Sequence, residues 1–542
     1  MGLKSVLITD PLDPICEQIL GSAGVEVTTK TKLTKEELLK EIKNYEGLIV
    51  RSSTQVTEDV INAGEKLKIV GRAGTGVDNI DTDAATRSGV MVMNTPGGNT
   101  LSAAEHTCAL IVALSKHIAQ ACASLKSGKW DRKTFLGEEL NGKVLGIIGL
   151  GRVGREVASR MQAFGMQTIG YDPMISGEVS AQFGVEFKEL NEIWKLADYI
   201  TLHVPLIPQT ANLIGSDVIA KCKKGVKIVN VARGGILDEE ALFHGLQSGQ
   251  VGGAALDVFN VEPPTKSDAA YIKELIEHPR LIATPHLGAS TAEAQFRVAK
   301  DIAEQFIDVA KGRPLVGLVN APSLAVAMTP AMKPWVGLGE AIGKIAAALV
   351  QSDGNPPIEI NCVLRGSKDP GQLLFLASSS VLLGFMKQAS HRKLQSMNLV
   401  NVPILAADEG IIFTEQALIS SDATPDGLTE HILEVVLKTV QNGRQVVNVT
   451  GSVKASIPIL LAINSGNFGN GVDLEGHMGV FLASDDGFGQ ALGIFKEHGK
   501  HITAVHRSTG SPQNLLLVKA ATPVGKSYTQ QSDLKLLASV DF

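Results

Sequence analysis

Residues 145–158 read LGIIGLGRVGREVA, and their reading decides the fold. The apolar run VLGIIGL leads into glycines at 149, 151 and 154, and the helix-like stretch REVASRMQAFG follows. A bare GxGxxG is a weak signal. Between a strand and a helix it describes the turn on which a dinucleotide pyrophosphate rests. Gly149 permits the tight turn, Gly151 lets a phosphate approach the backbone, and Gly154 lets helix and strand pack closely. The helix N-terminus adds unpaired N–H groups and the positive end of its dipole. Asp172 closes the next strand, where a carboxylate accepts from ribose hydroxyls and repels a 2′-phosphate. Pro173 and Met174 follow it, with no neighbouring cation. NAD is expected rather than NADP.

Working outward, the strand-like runs VLGIIGL, MQTIGYD, YITLHV, VKIVNVA, GGAALDV and LIATPHL alternate with helical stretches. That order predicts a doubly wound parallel sheet. Upstream, VLIT, EGLIVRS, KIVGRAG and VMVMNTP alternate with KEELLKEIKNY and TEDVINAGEKL, which predicts a second one. The apolar run 101–123 is broken by Glu105, His106, Lys116 and His117, so it reads as a buried helix and not a membrane span. Ser102 and Glu105 stand in capping-box spacing near its start. A helix over about 290–311 precedes GRPLVGLVNAP (312–322), which reads as a linker. Past residue 325 the pattern changes to the helix WVGLGEAIGKIAAALV and the strands IEINCVLRG and QVVNVTGSV. From about residue 476 the order is βαββα: HMGVFLAS, GFGQALGIFKEHG, HITAVHR, NLLLVKAAT and SDLKLLASV. This suits a small α+β regulatory module, and the C-terminal half is expected to have cores of its own.

Bulk properties exclude several classes. The chain has 542 residues, too many for one core. Its net charge of -6, without a basic stripe, argues against a nucleic-acid partner. Cys16, Cys108, Cys122, Cys222 and Cys362 form no CxxC pair, so no metal site is expected, and reduced, mostly buried thiols suit a cytoplasmic protein. The opening MGLKSVLITDPLDP meets Asp10 and Pro11 too soon for a signal-peptide core and reads as a first strand. Val6 stands where a myristoylation pattern needs Ser or Thr. No membrane association is expected.

Three residues carry the chemistry. Arg233 lies in NVARGGILDEEAL, Glu262 in GAALDVFNVEPP and His286 in TPHLGAST, each just after a strand-like run. That edge is where open α/β sheets bind ligands. Alone, each reads as an ordinary surface residue. Together, downstream of a nucleotide turn, a cation, a carboxylate and an imidazole fit hydride exchange between a nicotinamide and a 2-hydroxy acid. Arg233 would hold the substrate carboxylate through a fork of donors. His286 would exchange the hydroxyl proton, and Glu262 would favour the charged imidazole. Gly234 and Gly235 are expected to leave room for a ligand beside Arg233. A phosphate on the substrate would find Arg51, in LIVRSST with Ser52, and Arg72, in VGRAGTG, where Gly74 and Gly76 free backbone N–H groups for an anion.

The combination GRAGTGVDNID, GLGRVGRE, KKGVKIVNVARGG, GAALDVFNVEPP and PHLGAS resembles the D-isomer-specific 2-hydroxyacid dehydrogenases of the animal, long-chain type, densely over residues 1 to about 320. The resemblance implies that Arg233, Glu262 and His286 are catalytic. It implies that Thr75, Arg152, Val153, Asp172, Asp257, His286, Leu287, Gly288 and Ala289 hold NAD, with Val204, Val231, Ala232 and Arg233 along the same edge. Val204 replaces a threonine frequent in the family. The stretch TKSDAAYIKELIEHP before Arg280 is longer than the family's and lengthens the loop before His286. The implied architecture is α/β: a discontinuous substrate domain (1–97 and 287–318) and a Rossmann NAD domain (98–286), both doubly wound. An intervening α+β domain (325–470) and an ACT-like α+β domain (475–542) follow. The implied reaction is NAD-dependent oxidation of a phosphorylated 2-hydroxy acid by a homo-oligomer, a dimer or tetramer, with Arg132 reaching a neighbour's site. A hydroxypyruvate or glyoxylate reductase, or an NADH-sensing binding protein resembling corepressors of this fold, remain the alternatives.

Overall fold

The computed structural model describes residues 2–321, 324, 329–351, 358–366, 371–389, 397–419, 431–439, 444–483, 501–509, 514–524 and 534–542. By its contacts the chain divides into two units, one of residues 1–11, 16–94 and 302–542, the other of 12–15 and 95–301.

The second unit holds the glycine turn. Its strands are β6 (Val144–Ile148), β7 (Gln167–Tyr171), β8 (Glu186–Phe187), β9 (Tyr199–Leu202), β10 (Val226–Asn230), β11 (Val251–Leu256) and β12 (Leu281–Ala283). They pair in parallel in the order β12-β11-β10-β9-β6-β7-β8. This is the doubly wound dinucleotide-binding arrangement, and strand order reverses between β6 and β9. Both faces are buried. Leu145, Ile147, Val157, Ala158 and Met161 pack on one side, and Ile148, Ile200, Leu202, Ile228 and Leu246 on the other. Burial on both faces explains why the strands read as unbroken apolar runs.

Two local expectations change here. The run 101–123 forms two helices, Thr100–Lys116 and Ile118–Lys126, bent by 66° at His117, which takes φ 51°. The first is buried along one side; the second buries nothing. No single described helix is long and apolar enough to cross a membrane. The capping box does not form either. The helix starts at Thr100, so Ser102 already lies inside its first turn and is buried. The stretch 265–279 before Arg280 contains the short helix Ile272–Ile276, anchored by buried Ile272 and Leu275 and by Tyr271 stacked on Phe243.

In the first unit, β1 (Ser5–Ile8), β2 (Glu26–Thr29), β3 (Gly47–Val50), β4 (Ile69–Arg72) and β5 (Met91–Asn94) form a parallel sheet in the order β2-β1-β3-β4-β5. The end of the helix Ala292–Lys311 covers it. Phe306, fully buried, fills the space where side chains on Gly47 and Gly71 would stand, and burying a ring of this size stabilises by roughly 1.5–3 kcal/mol. The stretch read as a linker extends this sheet instead. The Asn94 N–H donates to Gly317 O at 2.9 Å and the Val319 N–H to Val92 O at 2.8 Å. Asn320 closes the edge, its Oδ1 accepting from the Val92 N–H (2.9 Å) and its Nδ2 donating to Val90 O (2.9 Å). Gly and Pro marked the chain reversal correctly, while the apolar Leu318 supplied a short pairing segment.

The C-terminal half of this unit has two further sheets. The first comprises β13 (Ile358–Gly366), β14 (Ile412–Ile419), β15 (His431–Thr439), β16 (Gln445–Lys454), β17 (Ile457–Ile463) and β18 (Gly466–Asp473), in the order β14-β13-β15-β16-β17-β18. Only the β13–β14 pairing is parallel. The helices Lys333–Gln351 and Gln372–Ala389 cross closely because Gly339 and Gly343 meet the backbone at Ala377 and Val381, and Gly384 meets Glu340. The second sheet, β19 (His477–Ala483), β20 (Ile502–Arg507), β21 (Asn514–Ala520) and β22 (Leu534–Asp541), is antiparallel in the order β20-β21-β19-β22. Leu338, Ile342, Val449, Met478, Leu517 and Val540 belong to one buried cluster, so the two sheets share a core. SDLKLLASV, read as a helix, ends as strand β22. Its buried residues alternate, Ala538 opposite Val480 and Val540 opposite Met478, and pairing with β19 overrides helix propensity. The run GFGQALGIFKEHG lies outside the described residues.

Candidate active site

The glycine turn begins where β6 ends. Gly149 takes φ +95°, and a Cβ there would lie 2.4 Å from His203 O, in the loop after β9. A Cβ on Gly154 would lie 2.1 Å from Gly149 O, so the helix Arg152–Ala163 sits directly on the turn. Gly151 differs: nothing stands within 4 Å of its Cβ position. Two glycines therefore serve close packing, and the middle one faces open space at a helix N-terminus, which fits a dinucleotide phosphate. Asp172 braces the turn, Oδ2 accepting from the Leu150 N–H and Oδ1 from the Met174 N–H, both at 2.9 Å. Each oxygen keeps a lone pair for a ribose hydroxyl. Arg152 donates Nη1 to Pro96 O at 3.0 Å, so the head of its side chain is engaged by protein. Val204 packs against the turn, its Cγ1 2.9 Å from the Gly149 Cβ position.

The three candidate catalytic residues follow β10, β11 and β12, and the fold brings them together. His286 Nδ1 meets Glu262 Oε2 at 2.8 Å. Burial works against the charge on Glu262, but the hydrogen bond and charge of His286, the Phe259 N–H and nearby Arg233 outweigh it, so its pKa lies below the ordinary value. The His286 side chain is 42% exposed, open to a ligand. Its backbone takes φ 55°, a left-handed conformation that costs a non-glycine residue of the order of 1 kcal/mol. Asp257 holds that turn from below. The His286 N–H donates to Asp257 O (2.9 Å), the Leu287 N–H to Oδ1 and the Gly288 N–H to Oδ2 (both 2.8 Å). Thr284 Oγ1 donates to Oδ1 at 2.6 Å, and His106 Nε2 lies 3.2 Å away. Burial opposes ionisation of Asp257, and these donors reverse it, holding its pKa low. The Asp257 carboxylate thus serves the protein's own loop. Val231 packs on Gly288, whose Cβ position is 3.0 Å from its Cγ1.

Arg233 is set by Asn230, whose Oδ1 accepts from the Ala232 N–H (3.0 Å) and whose Nδ2 donates to Arg233 O (2.7 Å). Arg233 Nη1 donates to Ala232 O at 2.6 Å. The expected room at Gly234 is absent: a Cβ there would lie 2.0 Å from Phe259 O and 2.7 Å from the Asn260 nitrogen. The loop carrying Glu262 occupies that space, so Gly234 is needed for contact between the two loops and not for ligand entry. Gly235 supplies φ +81° in the turn.

Arg51 and Ser52 follow β3 of the first unit, and Arg72, Gly74, Thr75 and Gly76 end or follow β4. Asp10 takes the Arg51 N–H (2.6 Å), the Thr54 N–H (3.2 Å) and the Thr54 hydroxyl (2.9 Å). Burial lowers the Arg51 pKa, with Asp10 opposing. Asn79 ties the two loops: Arg72 Nε donates to its Oδ1 at 2.9 Å, and its Nδ2 donates to Arg51 O (2.7 Å) and Thr54 O (2.6 Å). A Cβ on Gly74 would lie 2.7 Å from Arg72 Nη1, so the missing side chain makes way for the guanidinium. Asn94 Nδ2 donates to Thr75 O at 2.6 Å. Arg132 is exposed in the second unit, two residues from Trp130. Sequence reasoning missed Asn79, His106, Asn230, Glu239 and Thr284. Asn79, Asn230, Glu239 and Thr284 stand inside the motifs quoted above and His106 outside them, but their partners are mostly backbone groups or residues distant in sequence, so residue type alone did not mark their roles.

The family profile "D-isomer specific 2-hydroxyacid dehydrogenase, NAD binding domain" matches residues 108–288, a span that includes Gly149 through Gly288. D-3-phosphoglycerate dehydrogenase of Sus scrofa is 51% identical over 485 residues, 89% of this chain and 87% of that protein. The Bacillus subtilis protein of the same name is 43% identical over 407 residues, 75% and 74% of the two chains. Among solved structures, D-lactate dehydrogenase of Aquifex aeolicus, complexed with NAD and lactic acid, has 28% identity and a TM-score of 0.52, covering 58% of this chain and 99% of that one.

Proposed function

The chain belongs to the D-3-phosphoglycerate dehydrogenases, within the D-isomer-specific 2-hydroxyacid dehydrogenases, and from that membership we propose that it oxidises D-3-phosphoglycerate to 3-phosphohydroxypyruvate with NAD, the opening step of a phosphorylated route to L-serine. The observation that carries the reading is the 2.8 Å pair of His286 and Glu262, set in one loop cluster with Arg233.

Nδ1 of His286 faces Glu262, so Nε2 is the nitrogen that takes the C2 hydroxyl proton during oxidation and returns it during reduction. Glu262 keeps the ring oriented and offsets its charge while the proton is held. Arg233 binds the substrate carboxylate and polarises the C2 oxygen. Arg51, Ser52 and Arg72, with the N–H of Gly76, receive the phosphate; the Gly74 N–H, expected to be available as well, donates to Arg72 O at 2.9 Å. Bound NAD supplies the nicotinamide that accepts hydride from C2. Gly151 and the N-terminus of Arg152–Ala163 hold its pyrophosphate, and Asp172 its ribose.

The enzyme works as a homo-oligomer in this reading. Ile118, Leu125, Trp130 and Leu136 are 50%, 56%, 77% and 85% exposed, an apolar arm that a second copy would cover. Arg132 lies on that arm. A cytoplasmic site of action agrees with five free cysteines, four of them buried. Turnover tests the proposal: NADH formation with 3-phosphoglycerate against glycerate, and the reverse reaction with phosphohydroxypyruvate against hydroxypyruvate. The phosphorylated compounds should have much the higher kcat/KM. Equal values would reject the phosphate site and favour a hydroxypyruvate reductase. NADH binding without turnover would reject the enzyme reading.

A further inference from the structure

Glu239 is only 5% exposed, although it sits in the first turn of the helix Glu239–Ser248. Helix capping does not account for it. Asp238 does that work, accepting from the N–H groups of Glu240 and Ala241, both at 3.0 Å. Among the described residues the Glu239 carboxylate has one hydrogen-bond partner, the backbone N–H of Asn260, at 2.6 Å. Burial pushes its pKa above the ordinary value. A buried acid held by a single amide is costly for stability alone.

The amide it holds is central to the site. The Phe259–Asn260 peptide is gripped on its carbonyl side by Gly234, whose Cβ position is 2.0 Å from Phe259 O. On its N–H side it is held by Glu239. The Phe259 N–H donates to Glu262 Oε1 at 3.1 Å, and Glu262 Oε2 meets His286 at 2.8 Å. The turn carrying Arg233 and the loop carrying Glu262 therefore share one peptide as their support.

We propose that Glu239 is a positioning residue for the reaction: by holding the Asn260 N–H it fixes the Phe259–Asn260 peptide, and through it Glu262 and the Arg233 turn. This rests on the roles proposed above for Glu262 and Arg233. Glutamine at 239 keeps an acceptor oxygen and should serve; alanine leaves the amide unheld; aspartate falls one methylene short.

The test is a double-mutant cycle on the full chain, with NAD and 3-phosphoglycerate, reading kcat per NADH-binding site. Glu239→Ala should lower kcat about tenfold or more, since small misplacements of catalytic groups are costly. Glu239→Gln should stay near wild type, and NADH affinity should hold in both. In a Glu262→Ala background, Glu239→Ala should lower kcat no further, because the group it positions is already gone. If Glu239→Ala does not fold, Glu239→Asp replaces it in the same cycle. A purely structural Glu239 would lower the melting temperature but leave kcat per site unchanged, and that result overturns the proposal. So does a loss that multiplies with Glu262→Ala. If Glu262→Ala itself leaves kcat unchanged, the reading of the catalytic trio fails instead.

Discussion

Replacing Gly234 by alanine tests the packing of the site without touching a reacting group. The added Cβ would lie 2.0 Å from Phe259 O and 2.2 Å from its carbonyl carbon. Carbon and its neighbours settle at about 3.5 Å, so the two loops must separate by roughly 1.5 Å. The obstacle is backbone, which no rotamer change relieves. The peptide that must move is the one whose neighbouring N–H holds Glu262 at 3.1 Å, so the carboxylate loses its place beside His286. A displacement near 1 Å at catalytic groups costs about 100-fold. Gly234→Ala should therefore lower kcat by about two orders of magnitude. NADH binding, followed by fluorescence titration, should change little, because the turn at Gly149–Gly154 is built by separate contacts. Activity close to wild type in a folded Gly234→Ala variant would refute the claim that the two loops are locked through this peptide.

His286→Ala should lower kcat by about 10²–10⁴-fold, the usual contribution of an acid–base group, while NADH still binds; near-normal turnover would remove His286 from the mechanism. Asp172→Arg should raise the NADP-to-NAD ratio of kcat/KM, because a cation replaces the ribose acceptor. It should also lower the melting temperature, since the N–H groups of Leu150 and Met174 lose their acceptor, and an unmoved cofactor ratio would defeat the assignment. Glu138 is drawn down to about pKa 2: burial opposes the charge, but hydrogen bonds from Lys227 and Tyr199 overcome it. A depressed carboxyl contributes stability above its ordinary pKa, near 4.5, and loses it as pH falls toward 2. The melting-temperature gap between wild type and Glu138→Gln should thus be largest at neutral pH and narrow below about pH 4.5; a gap constant with pH would show that the charge contributes nothing.

The two parallel sheets were readable because burial on both faces writes an unbroken apolar run, as in KIVNVA and VLGIIGL. Elements without such a run escaped. β2, EVTT, lies at a sheet edge and has no buried residue, and β14 is almost wholly exposed. SDLKLLASV failed for another reason: a short leucine-rich run satisfies both periods, and only its partner β19 decides between them. The capping-box reading of Ser102 and Glu105 applied a valid spacing three residues too late, since the N-cap is Asn99.

The site divides along a similar line. Arg233, Glu262 and His286 stood out because charged groups beside Gly and Pro, each after a strand, are rare enough to mark a ligand edge. Gly151 and Gly154 were separable in sequence by position in the motif, and the structure gives them different neighbours, open space and backbone. Gly234 looked like Gly151, a glycine beside a functional residue, yet its space is filled by Phe259. Sequence shows that a side chain is missing and not what occupies its place. The same limit hid Glu239, which accepts from the N–H of Asn260, and the scaffold role of Asp257, which accepts from those of Leu287 and Gly288. Every residue but proline carries that donor, so no residue type announces it. What a catalytic group does is written in its chemistry; what holds it there is written largely in backbone contacts that exist only once the strands have paired.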